Sequence, residues 1–142
     1  MPSDKEVLLQ MATGLQYIHS QNLIHRDVKP GNILISGDRP SVLKWSDFGL
    51  SKYIINKKDE ENNTEDWSFP QGTEGWMAPE MIRIGEKFND EDNSNVGQEC
   101  DIFSLGCVFY FFLFSASHPF GNKSHERKMN VMAGNPINFK SK

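Results

Sequence analysis

The chain has 142 residues, a mass of 16.2 kDa and a formal net charge of −4 at pH 7. This length allows a single domain. A hydrophobic share of 37%, with ten Phe, three Tyr and three Trp, excludes a chain that stays disordered. The negative charge argues against a protein that binds nucleic acid mainly through phosphate contacts.

The first predicted element is an amphipathic helix over residues 4–20. Ser3 and Glu6 have the spacing of a capping box, in which each side chain satisfies a backbone donor of the other residue. Apolar residues then recur at helical spacing. The predicted buried face consists of Leu8, Met11, Leu15 and Ile18.

Short strands and a polar loop are predicted next. Residues 23–24 form a buried strand, and residues 25–32 form a polar loop. Two further strands, 33–35 and 42–45, flank turn-forming residues at 36–40, and this arrangement favours a β-hairpin.

The second half of the chain alternates loops and helices. Residues 56–66 and 85–98 are polar and are predicted as surface loops. Residues 99–116 are predicted as a buried helix, because their apolar run of 15 residues is shorter than a membrane span of about 20. A last helix, over residues 123–133, is predicted to end at Gly134.

The spacing of the cysteines and the polar N-terminus indicate in which kind of cellular compartment, oxidising or reducing, the chain is found. Cys100 and Cys107 are seven residues apart in a predicted helix, about 10 Å along its axis, which is too far for a disulfide. Residues 1–6 lack the apolar core of a signal peptide. We therefore expect a reducing compartment.

Late histidines and basic residues are predicted to have no metal or RNA ligand. His118 and His125 are seven residues apart with no third metal-binding residue nearby. The basic residues are expected on a solvated helix face and tail: Lys123, Arg127, Lys128, Lys140 and Lys142.

Two polar loops at strand ends carry residues suited to phosphoryl transfer. This reaction needs a carboxylate that orients the attacking hydroxyl, and oxygen ligands that hold Mg²⁺ on the nucleotide phosphates. Asp27 suits the first task, whereas Asn32 and Asp47 suit the second. The charge of Lys29 could stabilise the transferred phosphoryl group.

The same residues belong to a pattern that resembles the protein kinases. His-Arg-Asp at 25–27 with Asn32 matches the kinase catalytic loop, and Asp-Phe-Gly at 47–49 matches the magnesium motif. Ala-Pro-Glu at 78–80 matches the end of the activation segment, and residues 101–106 resemble the start of the larger lobe's buried helix. About a dozen ordered matches make a chance resemblance negligible.

Further motifs resemble one branch of the kinases. Lys29 is typical of the serine/threonine class. The sequences at 72–76 and 118–121 are similar to those of the inositol-requiring enzyme family, the kinase/endoribonucleases of the unfolded-protein response. The related 2-5A-dependent ribonuclease is less similar, because it departs from Asp-Phe-Gly. The resemblance extends from residue 4 to about residue 134.

The resemblance implies site roles and two cofactors, ATP and Mg²⁺. Asp27, Lys29 and Asn32 would be catalytic, with Asp27 as the base. Lys29, Asn32 and Asp47 would bind the nucleotide, and Asn32 and Asp47 would hold Mg²⁺. His25 is expected to be a packed residue, and Asp101 is expected to satisfy backbone donors of the catalytic loop.

The resemblance also implies regulation by phosphorylation. Arg26 would pair with a phosphorylated residue of the activation segment. Thr73 is expected to hydrogen-bond near Asp27 rather than to accept phosphate. The candidate phosphosites are Ser51, Thr64 and Ser68, of which the last is favoured.

The fold implied by the resemblance is α+β, the mainly helical larger lobe of a kinase with a short β-hairpin region. Residues 1–142 would form a partial kinase domain, with the catalytic loop at 25–32, the activation segment at 47–80 and the buried helix at 99–116. The N-terminal lobe is expected to be absent, since no Gly-x-Gly-x-x-Gly occurs. We therefore expect a fragment of a larger kinase that is marginally stable or aggregates when isolated.

The expected partners are ATP and a protein substrate or the chain's own activation segment, with a homodimer in the parent protein. No nucleic-acid binding and no membrane segment are expected in the chain itself. Its location would be the cytosolic side, with a parent anchored in the endoplasmic reticulum membrane. Three functions stay open: a serine/threonine kinase, a nucleotide-sensing or dimerising module that regulates a linked ribonuclease, and a truncated product without catalysis.

Overall fold

The computed structural model describes residues 2–54, 72–86 and 96–139. These residues form helices and two small sheets, which agrees with the predicted α+β class. The helices are α1 (Asp4–Ser20), α2 (Pro79–Glu86), α3 (Glu99–Leu113) and α4 (Ser124–Met132). The strands are β1 (Leu23–Ile24), β2 (Ile33–Ile35), β3 (Leu43–Trp45) and β4 (Lys52–Tyr53).

Helix α1 has the predicted bounds and the predicted capping box. The Glu6 carboxylate accepts from the Ser3 backbone N–H at 2.6 Å, and the Ser3 hydroxyl accepts from the Glu6 backbone N–H at 3.4 Å. Its buried face differs from the prediction at one position, because Val7 is buried whereas Leu8 is only partly buried. The other buried residues of this face are Met11, Leu15 and Ile18, as predicted.

Both sheets are antiparallel pairs. The predicted hairpin is confirmed as β2–β3, with Ile33 opposite Trp45, although β3 begins at Leu43 rather than at residue 42. Strand β1 is also confirmed, and it pairs with β4 through Leu23 opposite Tyr53. Strand β4 was not predicted, because Lys52-Tyr53 lacks the apolar character that indicated β1 and is defined only by its partner.

The main core lies between α1, β3 and α3. Trp45 fills its centre and donates its indole N–H to the Met11 carbonyl at 2.9 Å. A Cβ at Gly14 would lie only 3.1 Å from Trp45 Cδ1, so the absence of a side chain there lets the indole reach α1. A second core cluster joins β1 to α2 and α3 through Ile24, Met81 and Cys100.

Helix α3 corrects the predicted buried helix at 99–116. The helix ends at Leu113, because Ser115 and Ala116 take positive φ angles of 52° and 63° that no α-helix accepts. Nor is it buried on all sides, since Ile102 is 55% exposed. The two cysteines are buried free thiols, and burial raises the pKa of Cys107 to about 12.

The remaining helices differ in how far the sequence predicted them. Helix α4 is confirmed within one residue at each end, and Gly134 follows it with a positive φ of 63°. Helix α2 was not predicted; Pro79 is its first residue, a position that proline favours. Helix α2 includes Gly85 and Glu86, so the predicted loop 85–98 does not begin at residue 85. The predicted loop at 56–66 lies outside the described residues. Within the described ranges, no helix is long and apolar enough to cross a membrane.

Candidate functional site

Asp101 of α3 anchors the polar loop between β1 and β2. The Asp101 carboxylate accepts from the backbone N–H groups of His25 at 2.8 Å and Arg26 at 2.9 Å. It is 1% exposed and also lies 2.8 Å from Nε2 of His19. The predicted role of Asp101 is therefore confirmed, and these bonds hold Arg26 at a positive φ of 63°.

His25 is fully buried and supports the loop from within. The backbone N–H of Asp27 donates to His25 Nδ1 at 3.2 Å, so Nε2 carries the proton that it donates to the Ser46 carbonyl at 3.0 Å. The ring packs on Phe48, with centroids 5.1 Å apart. These contacts fit the packed histidine that the sequence predicted.

The Asp27 carboxylate is the centre of the site. Its Oδ1 accepts from the Thr73 hydroxyl at 2.6 Å, and its Oδ2 accepts from Nδ2 of Asn32 at 2.9 Å. The Lys29 ammonium lies 2.9 Å from the same Oδ2 and donates to Thr73 Oγ1 at 2.5 Å. The predicted contact between Thr73 and Asp27 is thus present, and it joins segments 46 residues apart.

Electrostatics keep the Asp27 carboxyl ionised. Burial by itself raises its pKa, but the hydrogen bonds from Thr73, Lys29 and Asn32 outweigh that effect. The pKa of Asp27 is consequently lowered from its ordinary value of 3.8. At neutral pH this carboxylate is an acceptor, as orientation of a hydroxyl donor requires.

The hairpin β2–β3 brings Asn32 and Asp47 to one end of the site. The Asn32 carbonyl accepts from both the backbone N–H of Ser46 at 2.9 Å and the Ser46 hydroxyl at 3.0 Å. Asp47 follows directly with a positive φ of 61°, and its exposed carboxylate accepts from the Gly49 backbone N–H at 3.3 Å.

These two residues have suitable oxygen atoms for Mg²⁺. Nδ2 of Asn32 donates to the carbonyl and the carboxylate of Asp27, at 2.8 Å and 2.9 Å, so its Oδ1 is the atom left to act as a ligand. Asp47 contributes a carboxylate. Mg²⁺ is commonly held by one or two such oxygens together with phosphates and water. The described residues contain no cluster of three or more His, Cys, Asp or Glu side chains that could hold a metal without a nucleotide.

Among the predicted regulatory residues, the structure describes Arg26, Ser51 and Thr73. Arg26 Nε donates to the Leu50 carbonyl at 2.5 Å, and the Ser51 hydroxyl donates to the His25 carbonyl at 3.3 Å. These two bonds hold the start of the activation segment against the catalytic loop, and the Thr73–Asp27 bond holds a later part of the segment there. Thr64 and Ser68 lie outside the described residues.

Sequence reasoning missed the residues that hold the second end of this segment. Trp76 packs edge-on against His118, with centroids 4.7 Å apart, and the Arg127 guanidinium lies 5.5 Å from the Trp76 ring centre. Arg127 was predicted on a solvated face and is instead half-buried against this ring. Their signal in the sequence is the pair of motifs at 72–76 and 118–121, which carry the family resemblance and contain Trp76 and His118.

This combination of an anchored catalytic loop, a hydrogen-bonded carboxylate and a Thr73 contact from a distant segment is that of a protein kinase. The protein kinase domain family matches residues 3–140, and the chain belongs to it.

Curated relatives narrow the family, as the motifs predicted. The chain is 43% identical over 133 residues to the serine/threonine-protein kinase/endoribonuclease IRE2 of Homo sapiens, covering 92% of this chain and 13% of the relative. It is 36% identical over 135 residues to the serine/threonine-protein kinase/endoribonuclease ire-1 of Caenorhabditis elegans, with the same coverage of 92% and 13%. For the probable serine/threonine-protein kinase ireA of Dictyostelium discoideum, the identity is 37% over 130 residues, covering 92% and 11%. The chain thus spans 11–13% of the length of these three relatives.

Proposed function

We propose that this chain is the larger-lobe part of a serine/threonine protein kinase, which transfers the γ-phosphoryl group of ATP to a Ser or Thr hydroxyl. The observation that carries the proposal is the Asp27 carboxylate, held by Thr73, Asn32 and Lys29 at 2.6–2.9 Å. Phosphoryl transfer depends on positioning and electrostatic stabilisation more than on covalent chemistry. Contacts from three residues hold this carboxylate in position.

Each site residue has a role that its contacts support. Asp27 accepts the hydrogen bond of the attacking hydroxyl and so acts as the base. Lys29, at 2.9 Å from Asp27, supplies positive charge for the transferred phosphoryl group. Lys29 also donates to the Thr73 hydroxyl, which in turn donates to Asp27. Asp27 and Lys29 therefore lie side by side in the site.

Asn32 and Asp47 would hold Mg²⁺, which neutralises charge on the nucleotide phosphates when it is bound. Asn32 is fixed by its two bonds to Asp27, and Asp47 lies two residues after Trp45, the last residue of the strand that pairs with β2. The chain's own contribution is therefore two oriented oxygen groups beside the base.

Regulation in this proposal uses Arg26 and the activation segment. Phosphate on Ser51, Thr64 or Ser68 would bind the Arg26 guanidinium and order the segment through charge-assisted hydrogen bonds. Thr73 is not proposed as an acceptor, because its hydroxyl already binds both Asp27 and Lys29.

The domain arrangement is part of the same proposal. The chain would be a partial kinase domain with its catalytic loop at 25–32 and its activation segment at 47–80, followed by helix α3 at 99–113. The smaller lobe, which covers the nucleotide in kinases, would belong to a parent protein that pairs as a homodimer. The parent would be anchored in the endoplasmic reticulum membrane with this chain on the cytosolic side, without contacting nucleic acid itself.

The metal role is tested by Asp47→Ala in the protein at its natural length. We expect Mg²⁺-dependent ATP binding to weaken at least tenfold and phosphoryl transfer to be lost, because the variant lacks one of the two side chains proposed to bind Mg²⁺. Asp38→Ala is the matched control, since Asp38 lies in the exposed turn between β2 and β3. Unchanged Mg²⁺ dependence in Asp47→Ala would contradict the assignment.

A second candidate function follows from two of the relatives, which are named as kinase/endoribonucleases. The chain would then sense nucleotide and regulate a linked ribonuclease, with its phosphoryl transfer directed to its own activation segment. Phosphopeptide mapping distinguishes the two candidates. Phosphate confined to residues 51–73 supports the sensing function, whereas turnover of an external peptide supports the general kinase.

A further inference from the structure

A turn at residues 73–76 connects the site to helix α4. The Trp76 backbone N–H donates to the Thr73 carbonyl at 3.1 Å and closes the turn, so Thr73 and Trp76 move as one unit. At one end of the turn, the Thr73 hydroxyl binds Asp27 at 2.6 Å. At the other end, the Trp76 carbonyl accepts from the Ser104 hydroxyl at 2.7 Å.

Arg127 of α4 covers the outer side of this turn. Its guanidinium lies 5.5 Å from the Trp76 ring centre, within the range of a cation–π contact. Gly75 has a positive φ of 87°, and a Cβ there would lie 3.1 Å from Cδ of Arg127. The turn and the arginine therefore fit so closely that only glycine is accommodated between them.

The Arg127 side chain is itself held in place. Its Nε donates to the Gly121 carbonyl at 2.8 Å, and its Nη2 donates to the Asn122 carbonyl at 3.3 Å. The fully buried His118 also packs edge-on against the indole, with ring centroids 4.7 Å apart. Trp76 is thus in contact with both a fixed cation and a buried ring.

We propose that Arg127 is a positioning residue for phosphoryl transfer, which fixes the turn at 73–76 and thereby holds Thr73 against Asp27. The inference rests on the proposed kinase function for its kinetic consequence, but the fixing of the turn does not depend on it. Arg127 touches none of the reacting groups and acts only through Trp76, Gly75 and Thr73.

The first test measures the turn without catalysis. In the natural-length protein, Arg127→Met should increase amide hydrogen exchange of residues 73–76 about tenfold, while exchange in α1 stays unchanged. Lys123→Met is the control, because it removes a positive charge at the start of α4 from a side chain that is 71% exposed and pairs only with Glu126 at 3.9 Å in the described structure. Arg127→Lys keeps the charge and should give an intermediate rate. Exchange at 73–76 that is the same in Arg127→Met and wild type would overturn the proposal.

The second test is a double-mutant cycle in phosphoryl transfer. Arg127→Met should lower kcat about tenfold with an unchanged KM for ATP, since a misplaced positioning group affects the chemical step. If Arg127 acts through Thr73, then adding Arg127→Met to Thr73→Val should cause no further loss. Additive losses would show that Arg127 acts elsewhere and would overturn the inference. If the wild-type protein transferred no phosphate, the proposed function would fail, and the exchange experiment would still decide whether Arg127 fixes the turn.

Discussion

Gly14 shows how one missing side chain shapes the core beside the site. The indole of Trp45 occupies the space that a Cβ would need, and its N–H bond to the Met11 carbonyl prevents the ring from moving aside. Trp45 is only 9% exposed. A methyl group at this position must therefore strain either the ring or helix α1.

Gly14→Ala is expected to lower the free energy of unfolding by about 1–3 kcal/mol, despite the better helix propensity of alanine. Gly106→Ala is the matched control in α3, since nothing lies within 4 Å of its would-be Cβ. That variant should be more stable than wild type by about 0.5–1 kcal/mol. Urea denaturation measures both, and a stabilised Gly14→Ala would show that the indole can move.

His118 makes stability depend on pH. Burial, assisted by the charge of Arg127, lowers its pKa from 6.5 to about 4, although the Gly75 backbone opposes this shift. The unfolded chain therefore binds more protons between these two pH values than the folded chain does. Stability is expected to fall by about 3 kcal/mol as the pH decreases from 6.5 to 4 and to level off below that.

Replacement of the histidine checks this dependence. His118→Phe should remove that part of the pH slope, whereas other titrating groups would act equally in both proteins. Denaturation profiles at pH 4–7 provide the comparison. Parallel profiles of wild type and variant across this range would contradict a buried neutral His118.

At the scale of elements, α3 supports the catalytic loop through a single carboxylate. Asp101→Asn replaces one of the two carboxylate oxygens with an NH2 group, so the backbone N–H of either His25 or Arg26 faces a donor instead of an acceptor. We expect a loss of about 2–4 kcal/mol in unfolding free energy, because a buried donor loses its partner and the negative charge is removed. Glu99→Gln, one exposed position in the same first turn, should change stability by less than about 0.5 kcal/mol.

Elements with local signals were predictable, and those defined by partners were not. Helix α1 has both a capping box and a regular apolar repeat, so the sequence predicted both of its ends. Strand β4 depends on its pairing with β1, in which Tyr53 lies opposite Leu23, 30 residues earlier in the chain. The end of α3 was predicted wrongly, because the apolar Phe114 and Ala116 extend the apolar run, whereas Ser115 and Ala116 have positive φ angles that end the helix.

The candidate site shows the same contrast between residues in local motifs and contacts between distant segments. Asp27, Asn32 and Asp47 were predicted because they belong to short motifs, and their roles stay proposals. The link from Thr73 to Arg127 could not be derived from spacing, since it requires the turn at 73–76 to meet a helix that begins at residue 124. Composition alone placed Arg127 with the solvated basic residues.

At the scale of the whole molecule, apolar surface is concentrated at the end of α3. Phe114 and Phe139 are 52% and 64% exposed and both stack on Tyr110, with centroids 4.3 Å and 5.2 Å away. Exposed aromatic clusters of this kind favour association. The isolated 142-residue chain is therefore expected to self-associate at micromolar concentration, as measured by sedimentation velocity. A monomer that unfolds cooperatively would contradict this expectation.

The proposed role of Asp27, orientation of the acceptor hydroxyl in phosphoryl transfer, is tested most directly by Asp27→Asn in the natural-length protein. Transfer of labelled γ-phosphate to peptide and the Kd for ATP–Mg²⁺ are measured on the same samples. We expect transfer to fall at least a hundredfold while the Kd changes less than about threefold, because Asp27 would act on the hydroxyl and not on the metal. Transfer at the wild-type rate in Asp27→Asn would show that Asp27 does not have this role.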